Sequence, residues 1–90
     1  MKKLYKLNLE NCYKIKDVSM LGNVKDLNLS NCFCIKDISC LTNVNRLDLS
    51  FNNNIIDVSM LYNVKTLILT GCKNIKNLDI ILEKVLDLHL

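Results

Sequence analysis

The sequence predicts an α/β fold, a horseshoe-shaped solenoid with short parallel strands on one face and turns or short 3-10 or helical segments on the other. The first observation is a pattern that returns every twenty residues along the chain of 90 residues. The second is one short segment per repeat in which polar and apolar residues alternate, which is typical of a half-buried strand. Because a unit with a single strand cannot bury its own apolar face, such units must stack.

The repeat is clearest in a Leu-x-Leu triplet. Leu7-Asn8-Leu9 returns as Leu27-Asn28-Leu29, Leu47-Asp48-Leu49 and Leu67-Ile68-Leu69, each time twenty residues later. Aliphatic residues at the first, twelfth, fifteenth and eighteenth positions keep the same period. The repeat therefore divides a single domain, residues 1–90, into units 4–23, 24–43, 44–63 and 64–84 and a partial fifth unit, 85–90.

Each unit predicts one strand followed by one turn. The x-L-x-L segment predicts the strand, and stacking places equivalent strands side by side and parallel at ~4.8 Å spacing. We expect the aliphatic residues at positions twelve, fifteen and eighteen to point inward as the chain turns back. In the second unit these residues are Ile35, Ile38 and Leu41.

Polar residues at fixed positions indicate how the turns are held. At the ninth position, Asn52 is predicted to hydrogen-bond loop backbone groups, while Cys12, Cys32 and Cys72 fill the same place as small apolar residues. In the Asp-Val/Ile-Ser triplet, we expect Asp or Ser to cap the turn that follows. The asparagine at the twentieth position is predicted to end that turn, because asparagine tolerates left-handed or locally hydrogen-bonded backbone.

The fourth unit departs from the period. Leu88-His89-Leu90 follows Leu67-Ile68-Leu69 by twenty-one residues, so one residue is inserted between Ile81 and Val85. Segment 79–85 therefore predicts a fuller helical turn, with Asp79 capping its free N–H groups.

The motif L-x-L-S-x-C/N-x-x-I-x-D-V-S-x-L-x-N resembles the leucine-rich repeat family from residue 4 to residue 90. The family hallmark is carried by Leu27-Asn28-Leu29-Ser30-Asn31-Cys32 and Leu47-Asp48-Leu49-Ser50-Phe51-Asn52. The resemblance implies a right-handed solenoid that works by binding another protein.

Narrower resemblances lie within this family. The tail from Ile35 to Asn43 resembles internalin-type short repeats, although Met20, Cys40 and Met60 stand where those repeats have proline. The cysteine and the extra residue before the isoleucine resemble the cysteine-containing repeats of F-box adaptors. The twenty-residue unit is also similar to repeats encoded in large arrays by giant DNA viruses.

Composition and charge limit the function. Half of the residues are apolar, and twelve basic against nine acidic residues give a net charge of +3. This balance excludes a disordered charged tail and lacks the dense basicity of nucleic-acid binders, so we expect no nucleic-acid partner. Without a long apolar run or a signal peptide, we expect no membrane association. Five cysteines without an export signal indicate reduced thiols and a cytoplasmic location.

The residues offer little for catalysis. His89 is the only histidine, no nucleophile stands beside it, and the serines repeat with the unit as turn residues do. We therefore expect no enzymatic activity, no cofactor and no metal. Cys32-Phe33-Cys34 leaves a metal site, or a Cys12–Cys32 disulfide, as alternatives to buried thiols, although zinc needs four converging ligands. Cys34 is the thiol that we expect to be exposed.

The outward face of the sheet is the predicted surface for an unidentified protein partner. The predicted binding residues are Lys6, Asn8, Glu10, Lys25, Asp26, Asn28, Arg46, Asp48, Lys65, Thr66, Ile68, Asp87 and His89. Further outward residues are predicted to be Tyr5, Ser30, Asn45, Ser50, Thr70 and Leu86. The formal charge of this face is balanced, which argues against phosphate-backbone binding. Apolar Tyr5, Ile68 and Leu86 among polar neighbours favour recognition over a merely solvated face.

Other interpretations remain open. The chain can be a structural remnant or a fragment of a longer array, which further repeats before Met1 or after Leu90 would show. It can also be the substrate-recognition part of a ubiquitin-ligase adaptor, although no F-box segment precedes the repeats. We also expect end-to-end self-association through residues 85–90 or 4–9, because terminal units expose the apolar face that a neighbour covers elsewhere.

Overall fold

A computed structural model describes residues 5–90, which form one parallel sheet with the turns packed behind it. The strands are Lys6–Asn8 (β1), Asp26–Asn28 (β2), Arg46–Asp48 (β3), Thr66–Ile68 (β4) and Asp87–His89 (β5). Each strand is hydrogen-bonded to the next along the chain, in the order β1-β2-β3-β4-β5. The predicted parallel strands are therefore confirmed, while Leu4, which opens the first unit, lies outside the described residues.

The register of the sheet follows the sequence period. Leu7 pairs with Leu27, and the same position continues through Leu47 and Leu67 to Leu88. The extra residue of the fourth unit falls between β4 and β5, so the pairing of these strands stays in phase. The molecule measures 37 × 24 × 17 Å. This small α/β arrangement is compatible with the stacked solenoid that the repeat predicts.

Short 3-10 helices connect the first four strands. They begin at the serine of each Asp-Val/Ile-Ser triplet and span Ser19–Leu21, Ser39–Leu41 and Ser59–Leu61. The aspartates accept the first free N–H of each turn, as predicted, because Oδ1 of Asp17, Asp37 and Asp57 accepts the N–H of the serine two residues later. These bonds are 2.9, 3.0 and 2.9 Å long, and each satisfies a donor that the turn leaves free. The residue between each aspartate and its serine, at the cap position itself, makes no side-chain capping bond.

The fourth unit carries an α-helix, α1, which spans Leu78–Leu82. The fuller helical turn predicted there is confirmed, but the predicted cap is wrong. Asp79 lies inside the first turn of the helix, and the capping position belongs to Asn77. Asn77 has left-handed backbone at φ 58° and makes no side-chain capping bond, so the chain enters α1 through a bend rather than through an acidic cap.

Left-handed backbone recurs at the eighth position of each unit, where the chain turns away from its strand. The residues concerned are Asn11, Asn31, Phe51 and Gly71, with φ of 65°, 57°, 63° and 74°. Among residues 5–90, the asparagines of the twentieth position, Asn23, Asn43 and Asn63, have no positive φ. These asparagines do end the turns, as predicted, but without left-handed backbone, which lies twelve residues earlier in each unit.

The core lies between the sheet and the turns. Strand and turn positions of the middle units supply fully buried side chains, among them Leu27, Ile35, Leu47, Ile55 and Leu61. Full burial of such a side chain stabilises a fold by about 1.5–3 kcal/mol relative to exposure. The inward positions predicted from the repeat are confirmed in these units.

The ninth position links neighbouring units through backbone carbonyls. Asn52 Nδ2 donates to the carbonyl oxygen of Leu29, in the preceding unit, at 2.8 Å and to that of Leu49 at 3.0 Å. Cys32 and Cys72 place Sγ 3.1 and 3.0 Å from the equivalent carbonyl oxygen of the unit before. The thiols therefore do more than fill space, since a weak S–H donor satisfies the same acceptor.

Within residues 5–90, no helix has the length and apolar character that crossing a membrane requires.

Candidate functional site

Two rows of side chains cross the open face of the sheet. Alternation along each strand sends the central leucine inward and its two neighbours to the opposite side. The row before the leucine consists of Lys6, Asp26, Arg46, Thr66 and Asp87. The row after it consists of Asn8, Asn28, Asp48, Ile68 and His89. All ten are exposed or half-buried, so the sheet brings these predicted binding residues onto one face.

Residues beyond the strand ends extend this face. Lys25 and Lys65 immediately precede β2 and β4 and are exposed, as is Glu10 beyond the end of β1. At the same entry position, Tyr5 and Leu86 are 71% and 89% exposed. All five side chains are exposed, which is compatible with the outward position predicted for them.

Ser30 and Ser50 are buried, so the prediction that they point outward is wrong. Each lies at the bend where its chain leaves the strand, and the neighbouring unit reaches the same place. The backbone N–H of Asn11 donates to the Ser30 carbonyl at 2.9 Å. The Ser50 hydroxyl donates to Asp48 Oδ1 at 2.5 Å. The neighbouring unit can cover these serines because their side chains are small, and the Ser50 hydroxyl keeps a hydrogen-bond acceptor within its own unit.

The polar residues of the second row have a local role that sequence analysis missed. Oδ1 of Asn8, Asn28 and Asp48 accepts the backbone N–H two residues later at 2.9, 3.0 and 2.9 Å. This is the Asx pattern, in which a short polar side chain holds a chain reversal. The signal was present in the sequence as Asn or Asp two residues before each bend. These three side chains therefore offer a partner only part of their hydrogen-bonding capacity.

Ile68 interrupts this row. It pairs with Asp48 of β3 on one side and with His89 of β5 on the other. Its side chain is half-buried on the face where the equivalent residues are polar. An aliphatic side chain in this place offers apolar contact area to a partner, and it has no acceptor with which to hold the bend.

The acidic residues of the first row are engaged with other side chains of the sheet. Arg46 Nη1 lies 3.5 Å from Asp26 Oδ1, with side chains that are 48% and 22% exposed. Asp87 Oδ1 lies 2.9 Å from His89 Nε2, and Thr66 Oγ1 donates to Asp87 Oδ2 at 3.5 Å. Exposed pairs of this kind contribute about 0–1 kcal/mol, so they orient side chains more than they stabilise the sheet.

The opposite side of the molecule carries a different set of charges. Hydrogen bonds from the serine two residues later lower the pKa of Asp17, Asp37 and Asp57. The serine side chain contributes most at Asp17 and Asp37, and its backbone N–H contributes most at Asp57. Lys16 and Lys36 each immediately precede one of these carboxylates in the chain. Basic and acidic residues are therefore mixed on the turn side.

All five cysteines are free thiols. Cys32 is buried as predicted, whereas Cys34 is half-buried rather than fully exposed. Burial raises the pKa of Cys32, Cys40 and Cys72, which keeps these thiols protonated and slow to react. In residues 5–90, no three His, Cys, Asp or Glu side chains are grouped so that they could hold a metal ion.

An aromatic pair on the surface was also missed by sequence analysis. The rings of Tyr13 and Phe33 are stacked with centroids 5.3 Å apart and planes 5° apart, and both side chains are about half exposed. Both residues occupy the tenth position of their units, so the period itself places them face to face. That shared position was the signal for the pair.

No protein-family model, no curated protein and no solved structure matched the chain. The resemblance to leucine-rich repeats therefore stays a prediction from the motif, as do the absence of catalysis and the end-to-end association through residues 85–90 or 4–9.

Proposed function

We propose that this chain is a leucine-rich repeat solenoid that binds a protein partner through the outward face of its parallel sheet, without enzymatic activity. One observation carries the proposal. Five strands in register present two continuous rows of accessible side chains, while the leucines between the rows are committed to the core. Stacked repeats commonly use such a surface for recognition.

The chemistry of the rows favours a protein over other partners. The rows mix both charges, amides and a hydroxyl with the aliphatic Ile68, and Tyr5 and Leu86 expose apolar area at the two ends of the face. Interfaces between proteins combine polar contacts with a few apolar or aromatic anchors in this way. The proposal includes neither a nucleic acid nor a membrane as partner. It includes a cytoplasmic location, because free thiols are typical of proteins in a reducing compartment.

Affinity capture with face and turn variants tests the proposal. The immobilised chain is incubated with cell extract, and bound proteins are identified by mass spectrometry. We expect Arg46→Glu and Ile68→Asp each to remove a specific partner, because both place unfavourable charge on the recognition face. Lys36→Glu, which changes an exposed lysine on the turn side, is the matched control and should keep the partner.

Circular dichroism of every variant verifies that the fold is intact. If Lys36→Glu removes the partner while the two face variants retain it, the binding surface lies on the turn side and the proposal is wrong.

A further inference from the structure

A basic residue stands at the entry of each of the first four strands. Lys6 and Arg46 are the first residues of β1 and β3, and Lys25 and Lys65 immediately precede β2 and β4. All four side chains are exposed. Lys6 and Arg46 share one position of the sheet with Asp26 between them, and Lys25 and Lys65 stand one position earlier in their units. All four therefore lie at the edge where the strands begin, and we call them the cation row.

Three of these cations have no ionic partner within the described part of the chain. Of the four, only Arg46 forms an ion pair within residues 5–90, an exposed contact of 3.5 Å with Asp26. Lys6, Lys25 and Lys65 form no ion pair or side-chain hydrogen bond among residues 5–90. Their charges are therefore available to a ligand.

The carboxylates of the same face are less available. Asp26 lies beside Arg46, and Asp48 accepts both the backbone N–H and the hydroxyl of Ser50. Asp87 lies beside His89 and accepts from Thr66. The formal charge of the face is balanced, yet its acidic residues have intramolecular donors while most of its basic residues have none.

The position of the remaining acid sharpens this asymmetry. Glu10 lies beyond the end of β1, at the opposite end of the strands from the cation row. With a screening length of about 8 Å at physiological ionic strength, a charge at one end of the strands is largely screened from the other end. The entry edge of the face is therefore locally positive.

We propose that the cation row binds an acidic segment of the protein partner. This inference rests on the function proposed above and specifies the chemistry of the partner that the sheet face would bind. Phosphate backbones fit the face less well than carboxylates spaced along a peptide, because Asp26 and Asp87 interrupt the basic residues.

A titration followed by nuclear magnetic resonance tests this proposal on the full chain. The probe is a capped peptide of alternating Glu and Ala, and the matched neutral peptide carries Gln in place of Glu. We expect the Glu peptide to shift the backbone amides of Lys25, Arg46 and Lys65, with binding that weakens as salt is added. The Gln peptide should bind at least several-fold more weakly.

Matched double variants separate the cation row from general attraction to a basic protein. Lys25→Gln with Lys65→Gln should weaken binding of the Glu peptide by about threefold to tenfold, as expected for two exposed ion pairs. Lys16→Gln with Lys36→Gln removes the same charge from the turn side and should leave the affinity within about twofold. Equal losses from the two double variants, or equal binding of the Gln peptide, overturn the proposal.

Two further outcomes separate this inference from the proposed function. A captured partner that is lost with Ile68→Asp but kept with the Lys25→Gln and Lys65→Gln double variant overturns the acidic-segment proposal and leaves the protein-binding face in place. Tighter binding of a single-stranded oligonucleotide than of the Glu peptide at the same amides would also overturn it, in favour of a phosphate ligand.

Discussion

The middle units and the outer units carry the same aliphatic residues on their strands and after the first bend, yet these residues are buried to different extents. Leu27 and Leu47 are fully buried. Leu7 and Leu88, which are the two ends of the same row of leucines, are half-buried. Ile35 and Ile55 are fully buried too, but Ile15 and Ile75 are not. At these positions burial depends on having a packed unit on both sides, whereas Val18 and Ile81 in the turns of the outer units are fully buried as well.

The fourth unit adds a second difference. Its turn is the α-helix Leu78–Leu82 instead of a 3-10 helix, and its bend after the strand uses Gly71 where earlier units use asparagine or phenylalanine. It also has Asn77 where the first three units have the capping aspartate. The repeat therefore tolerates local change wherever the pairing of strands and the inward aliphatic residues are kept.

The largest expected effect tests the difference between middle and outer units directly. Leu47→Ala should lower the free energy of unfolding by about 2–5 kcal/mol, because it leaves a cavity between two packed units. Leu7→Ala should cost about 1–2 kcal/mol, because its half-buried side chain has less apolar area to lose. Urea unfolding followed by circular dichroism measures both values, and Ile35→Ala against Ile15→Ala repeats the comparison. Equal costs within each pair would contradict the dependence of burial on two neighbours.

A somewhat smaller effect is expected at the ninth position. Asn52→Ala should cost about 1–3 kcal/mol, because the carbonyls of Leu29 and Leu49 lose their buried donor. Asn52→Cys should recover part of this loss, since Cys32 and Cys72 satisfy equivalent carbonyls with a thiol. The same unfolding measurement applies. If the cysteine variant is as unstable as the alanine variant, the thiols of this position act only by filling space.

Gly71 tests the bend that distinguishes the fourth unit. Gly71→Ala should cost about 1–2 kcal/mol for the left-handed backbone alone, at φ 74°. The added Cβ would also clash with the Phe51 ring, so the ring must move. In a Phe51→Asn background the same substitution should cost less, and a double-mutant cycle measures the difference. An identical cost in both backgrounds would show that the ring moves aside freely.

The smallest expected effect concerns the capping aspartates, which only the first three units carry. Hydrogen bonds from the following serine lower the pKa of Asp17, Asp37 and Asp57 in the folded chain. Such groups contribute stability above the unfolded pKa of about 3.9, and this stability is lost as pH falls through the lower folded pKa. Replacing all three by asparagine should flatten the decline of stability below about pH 4. Thermal melts across that range measure the slope, and an unchanged slope would locate the acid sensitivity elsewhere.

Much of the site was predictable because the period is a local property of the chain. Once Leu7, Leu27 and Leu47 are recognised as one inward row, alternation assigns the residues on either side of them to the open face. Lys6, Arg46 and His89 were placed correctly by this argument alone. The longer helical turn of the fourth unit also followed from counting a single inserted residue.

Other features were decided by the tertiary structure. The sequence period cannot show whether the carboxylates of Asp26 and Asp87 form ion pairs or hydrogen bonds. Those contacts depend on which side chains lie nearby and on the conformations of those side chains. The burial of Ser30 and Ser50 depends on how closely adjacent bends approach each other. The sequence by itself determined which residues share a row, since stacking repeats a local pattern at fixed intervals. Only the tertiary structure decided which charges of a row are left without a partner, since hydrogen bonds form between particular atoms of neighbouring units.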